Sequence, residues 1–140
     1  MRGRLARTLV LGTACLACWL AQAQTYQSAD IGTPGTDPLT AGSATVDGNT
    51  VTVVGGGSDI WGTADGFHFY WTEVTGDFDV KVRVESLSGT HQWAKAALMV
   101  RETLEPGSRH VDNLATRSDG NGQNQLSLQW RDTADAASAS

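Results

Sequence analysis

The chain has 140 residues, 40% of them hydrophobic, with ten basic against fifteen acidic side chains and a formal charge of −5. That length suits a single domain. A net acidic surface repels phosphate backbones, which argues against nucleic-acid binding and favours neutral or cationic partners.

Residues 1–23 read as a secretory signal peptide. Arg2, Arg4 and Arg7 precede an apolar run over 9–20, which closes on the small-x-small triplet Ala21-Gln22-Ala23. The run is shorter than the about 20 apolar residues that cross a bilayer. No membrane attachment is therefore expected after cleavage, and the location expected is secreted, extracellular or periplasmic. Cys15 and Cys18 leave with the signal, and neither has the Leu three residues upstream that a lipoprotein signal carries. Removing 23 residues leaves 117, with seven basic against fifteen acidic residues, a formal −8, and no cysteine for a disulfide, a nucleophile or a metal.

The stretch 24–42 holds two of the three prolines among Gly, Thr, Ser and Asp and is expected to be an irregular lead-in to a domain over 43–131. Residues 43–46 and 49–54 are β-branched runs around Asp47-Gly48, a strong hairpin signal. Gly55-Gly56-Gly57 ends the second strand and lacks the spacing of a phosphate-binding loop. Phe67, Phe69 and Trp71 alternate with His68, Tyr70 and Thr72. After Thr75-Gly76, Phe78, Val80, Val82 and Val84 alternate with Asp79, Lys81, Arg83 and Glu85. The pattern predicts a half-buried antiparallel hairpin of 67–72 with 78–85, its Phe and Val residues in the core.

Residues 92–108, QWAKAALMVRETLEPGS, fit helical and strand periods alike. Strand signals on both sides favour a strand over 92–101. Glu105-Pro106-Gly107 then makes a turn in which Gly takes a positive φ. Residues 109–117 and 125–131 read as strands around 118–122, and the small, polar tail 132–140 is expected to carry no core residue.

Four blocks now carry a resemblance: GSDIWGTADGFHF (57–69), TGDFDVKVRV (75–84), WAKAALMVRE (93–102) and EPGS (105–108). Together they resemble the concanavalin A-like lectin/glucanase superfamily, in particular its enolase-regulator-like and beta-xylosidase C-terminal-like jelly-roll domains. The likeness covers about residues 42–130. It implies an all-β fold, an antiparallel two-sheet β-sandwich with 93–102 as a central strand. Domains of this kind continue past a strand such as 129–131 into further strands, so the resemblance implies a domain incomplete at its C-terminus, part of a longer protein. A sheet with missing partners would leave unpaired edges, and the chain alone is expected to be poorly soluble or molten.

Chemistry is sparse. Glycoside hydrolysis needs two carboxylates roughly 5 to 10 Å apart, and no alternating acidic signature occurs. Asp77 and Asp79 share a face with Lys81, Arg83 and Glu85, as solvated charge does, so no catalytic residue is assigned. The attached-enzyme alternative, a fragment of a secreted glycoside hydrolase, would place the acidic pair elsewhere. Lys95, Arg101 and Glu102 interrupt an apolar strand and could grip a ligand hydroxyl or carboxylate; as structure, they would pair at the strand end, with the Lys95 stem covering the sheet. His68, His91 and His110 follow no zinc spacing. No cofactor is expected. Were calcium bound, Asp59, Asp65 and Asp119 would be its ligands, although the 119–123 stretch lacks a closing Glu.

Aromatic side chains make the best binding argument, because sugars present apolar faces and hydroxyl rims to rings with polar neighbours. Trp61, His68 and Tyr70 are the candidates, with Lys95, Arg101 and Glu102 beside them; Trp93 and at least one other Trp are expected in the core. The function expected is a noncatalytic carbohydrate-binding or adhesive module whose partner is a polysaccharide or glycan, or else a structural protein-interaction spacer.

Overall fold

The computed structural model describes residues 24–32, 41–89, 91–117 and 123–140. Residues 1–23, expected to be a signal peptide, and residues 118–122, Asp119 included, lie outside them. The described residues are all-β: β1 (Gln27–Ile31), β2 (Ser43–Asp47), β3 (Thr50–Val54), β4 (Phe67–Trp71), β5 (Lys95–Arg101), β6 (His110–Thr116) and β7 (Leu126–Arg131). No helix among them is long and apolar enough to cross a membrane.

They form three antiparallel sheets, β1–β4, β2–β3 and β5–β6–β7. The β2–β3 hairpin arises as the β-branched runs predict. Asp47 pairs with Thr50, and Gly48 takes the positive φ of 56° that the tight turn requires. In the three-stranded sheet Arg101 faces His110 and His110 faces Arg131; two residues along, Met99, Asp112 and Gln129 stand in line. The residues 93–102 thus supply a strand, not a helix, although that strand is at a sheet edge rather than central.

Three expectations are corrected. The lead-in is not irregular throughout, because β1 pairs with β4 from Gln27–Trp71 to Ile31–Phe67. That pairing takes the place of the expected hairpin with 78–85, which joins no sheet among the described residues; Phe78, Val80, Val82 and Val84 are 45–62% exposed rather than in the core. Alternation fixes which side chains share a face, but a face is buried only where something lies against it. Trp93, expected inside, is 40% exposed: it precedes β5 in a turn that no described residue buries.

The turn at 105–107 forms, with Ser108 N donating to Glu105 O at 2.9 Å. Gly107 does not adopt positive φ. Its lack of a side chain matters because a Cβ there would stand 1.9 Å from Asp135 Oδ1. The tail is also corrected. Ala139 and Trp130 exchange two backbone hydrogen bonds, at 2.8 and 3.0 Å, and Ser138 is buried.

The interior is unusual in its polarity. Ile31, Ile60 and Leu114 are the buried large apolar residues among those described, whereas Asp65, Ser108, His110, Asp112, Thr116, Arg131 and Ser138 are buried polar ones. One face of the β5–β6–β7 sheet carries Arg101, His110, Arg131 and Asp112 inward. The other carries Val100, Val111, Leu126 and Leu128, all exposed.

Candidate functional site

Two neighbouring features emerge, a buried charge network and an exposed tryptophan that the network helps to hold. Arg131, the last residue of β7, grips Asp65 bidentately: Nη2 donates to Oδ1 at 2.7 Å and Nη1 to Oδ2 at 3.0 Å, with both side chains fully buried. This fork geometry is the strongest form of Arg–carboxylate contact. The remaining donors reach Ala136 O (2.9 Å), Ser108 O (3.0 Å), Gly62 O (3.1 Å) and Ser138 Oγ (3.1 Å). One guanidinium therefore ties together the 62–65 turn, the 106–108 turn, β7 and the tail.

Arg101 adds a third contact to the same carboxylate, Nη1 to Oδ2 at 3.3 Å, and lies over the Phe67 ring at 5.3 Å. It also donates to Thr103 O and Glu105 O, at 2.7 and 2.6 Å. Burial lowers its pKa against the opposing pull of Asp65. His110 Nδ1 stands 3.5 Å from Asp65 Oδ2, and its Nε2 stands 3.2 Å from Asp112 Oδ2, aimed too poorly for a hydrogen bond. Burial lowers the His110 pKa against the opposing pull of Asp65, and the two arginines add to the fall. Burial likewise pushes the Asp112 carboxyl up to about 6, with Asp65 adding to the rise and Lys95 opposing it. Both Asp112 oxygens, and Gln129 Oε1 opposite it in register, lack a hydrogen-bond partner among the described residues.

The second feature begins at Lys95. Its Nζ donates to Asp59 Oδ1 at 2.6 Å and to Ile60 O at 2.8 Å, and lies 5.9 Å from the centre of the Trp61 ring. Asp59 pairs its backbone with Gly66, and Ile60 is buried. Trp61 sits between that buried anchor and Gly62, whose carbonyl Arg131 and Ser138 both hold. The indole is thus 42% exposed on a turn fastened at both ends. An exposed ring beside a carboxylate and an ammonium can offer a stacking surface with hydrogen-bonding groups at its edge.

The expected site residues therefore do not form one site. Trp61 and Lys95 come together, with Asp59. His68 and Tyr70 lie elsewhere, on the face of β4 away from Phe67, Phe69 and Trp71. The His68 side chain is buried, bonded to Asp30 Oδ1 at 2.7 Å and Ser28 Oγ at 2.6 Å. The His68 bond holds the Asp30 carboxyl below its ordinary pKa, helped by the Gly42 amide. Tyr70 stacks on the exposed Tyr26 with centroids 5.0 Å apart. Arg101 is committed to Asp65, and Glu102 points outward, 3.9 Å from Arg109.

For a cation the donors are already engaged: Asp65 is held by two arginines and Asp59 by Lys95. No group of three or more acidic or histidine side chains suited to a metal occurs among the described residues. The chain matches no protein-family model, no curated protein and no solved structure.

Proposed function

We propose that this chain is an exported, noncatalytic β-sandwich module of the concanavalin A-like jelly-roll class, belonging to a longer extracellular protein and binding a neutral polysaccharide. The observation that carries the reading is Trp61: a large ring in water, fixed from both sides, with Asp59 and Lys95 at its edge. Sugar rings stack on such a surface through their CH faces while hydroxyls reach the charged rim, and a pre-fixed platform loses little entropy on binding. The acidic surface makes a neutral glycan a better partner than an acidic one.

The test is retention on insoluble polysaccharides and tryptophan emission during titration with soluble β-glucans, xylans and mannans. Trp61→Ala should abolish binding to whichever glycan is retained, while Tyr26→Ala should leave it unchanged. Binding that survives in Trp61→Ala, or wild-type protein retained by no glycan, overturns the reading. A structural protein-interaction role is the second reading, favoured by the bare valines and leucines of the β5–β6–β7 sheet.

A further inference from the structure

Residues 77–85 read DFDVKVRVE, and the run 78–89 contains neither turn nor bend. Its charges lie along one side: Lys81 Nζ donates to Asp79 Oδ2 and Arg83 Nε to Glu85 Oε1, each at 2.6 Å. Phe78, Val80, Val82 and Val84 fall on the other side, as period-2 alternation requires. Among the described residues no backbone hydrogen bond joins this stretch to a strand. A straight segment with free amides and carbonyls and one apolar side is a template for strand addition.

The geometry points to a second copy of this chain as the added strand, paired antiparallel with the two-fold axis between the two Val80 residues. A segment meeting its own copy in this way makes a closed, isologous contact, and the charges select the register. With the axis at Val80, Asp79 lies opposite Lys81 of the partner subunit, and Asp77, at the bend that precedes the run, falls across from Arg83 of the partner subunit. Phe78 then meets Val82 of the partner subunit, and every charged pair is attractive.

Neighbouring registers are worse. An axis at Lys81 opposes Asp77 to Glu85 and Lys81 to its own copy. An axis at Val82 opposes Asp79 to Glu85 and Lys81 to Arg83, and an axis at Val84 keeps only the Arg83–Glu85 attraction. Like charges directly across a ladder are destabilising. The ion pairs that the register replaces are exposed on both sides and contribute little. A two-stranded ribbon alone is marginal in water. The bare face of the β5–β6–β7 sheet, with Val100, Val111, Leu126 and Leu128, is one apolar surface among the described residues that could cover it. This pairing does not depend on Trp61 or on sugar binding.

Sedimentation equilibrium of the full chain should show a reversible dimer. Asp79→Lys and Lys81→Glu each turn two attractions of the Val80 register into repulsions, and each should weaken self-association about tenfold or more. An equimolar mixture of the two variants should regain wild-type affinity as a heterodimer, since the lysine introduced in one would then face the glutamate introduced in the other. Both positions are exposed, and the charged contact of each is the other, so circular dichroism should be unchanged. A wild-type chain that stays monomeric, or that forms only large aggregates, overturns the proposal. So do single variants that dimerise undiminished, an Asp79→Lys variant that associates more tightly, and a mixture that fails to recover.

Discussion

Replacing Asp112 by Asn probes the buried network where it is least satisfied. The carboxyl is buried with no hydrogen-bond partner among the described residues and is held at about 6 against an ordinary 3.8. Because the folded pKa is the higher, the native state binds this proton more tightly than the unfolded chain does. The group's contribution is complete below pH 4 and is lost as pH rises through 6. Once ionised, it costs the fold about 3 kcal/mol.

His110, 3.2 Å away, has a lowered pKa and the opposite slope, its penalty disappearing as pH rises toward 6.5. Asp65, Lys95, Arg101 and Arg131 complete the charged surroundings. Asparagine keeps the shape, is neutral at every pH, and brings an amide donor to a place where Gln129 Oε1 lacks one. To first order, comparing wild type with Asp112→Asn cancels the His110 slope. Urea unfolding followed by tryptophan emission, at one fixed protein concentration because association shifts apparent stability, should show the two nearly parallel near pH 4. By pH 8 the variant should have gained about 3 kcal/mol relative to wild type. A difference that stays flat from pH 4 to 8, or that grows in favour of wild type, refutes the argument.

Arg131→Met leaves Asp65 without its bidentate partner in a fully buried site and should cost about 3 to 5 kcal/mol in the same unfolding assay. The double variant Arg131→Met with Asp65→Leu, which removes the stranded charge, should recover part of that loss. Gly107→Ala places a Cβ against Asp135 Oδ1 and should cost about 1 to 3 kcal/mol. Asp135 itself sits at a positive φ of 62°, so adding Asp135→Gly should relieve the clash and restore the thermal midpoint.

Much of the secondary structure is legible in the residues. Gly48 between β-branched runs marks the first hairpin, the alternation over 67–71 marks a strand that forms, and the runs read as strands at 109–117 and 125–131 contain β6 and β7. The run 78–85 has as clear an alternation as any of these, yet it pairs with nothing among the described residues, because periodicity describes one strand and burial requires two surfaces. The polarity of the β5–β6–β7 sheet is the larger surprise. Alternation sorts Val100 and Val111 from Arg101 and Asp112 correctly, but hydrophobicity assigns the inside to the wrong set.

In the sequence Asp65 suggests a calcium ligand and nothing more. Beside Gly66 in a turn-rich stretch it resembles any solvated aspartate, and its partner Arg131 lies 66 residues away. The available signal is Arg131 itself, a permanent charge in phase with Gln129 and Ser127 on the polar side of an alternating strand. Trp61 is legible as a candidate, whereas its support by Lys95 and Asp59 depends on contacts 35 and 36 residues apart.

The inverted sheet also has a calorimetric consequence. Unfolding raises heat capacity through the apolar surface newly wetted and lowers it through the polar surface newly wetted. Here valines, leucines and one phenylalanine are already in water, while two arginines, two aspartates and a histidine await hydration. The heat-capacity increment of a lone chain therefore falls below the about 12–15 cal/mol/K per residue usual for folded domains, its stability changes less steeply with temperature, and cold weakens it little.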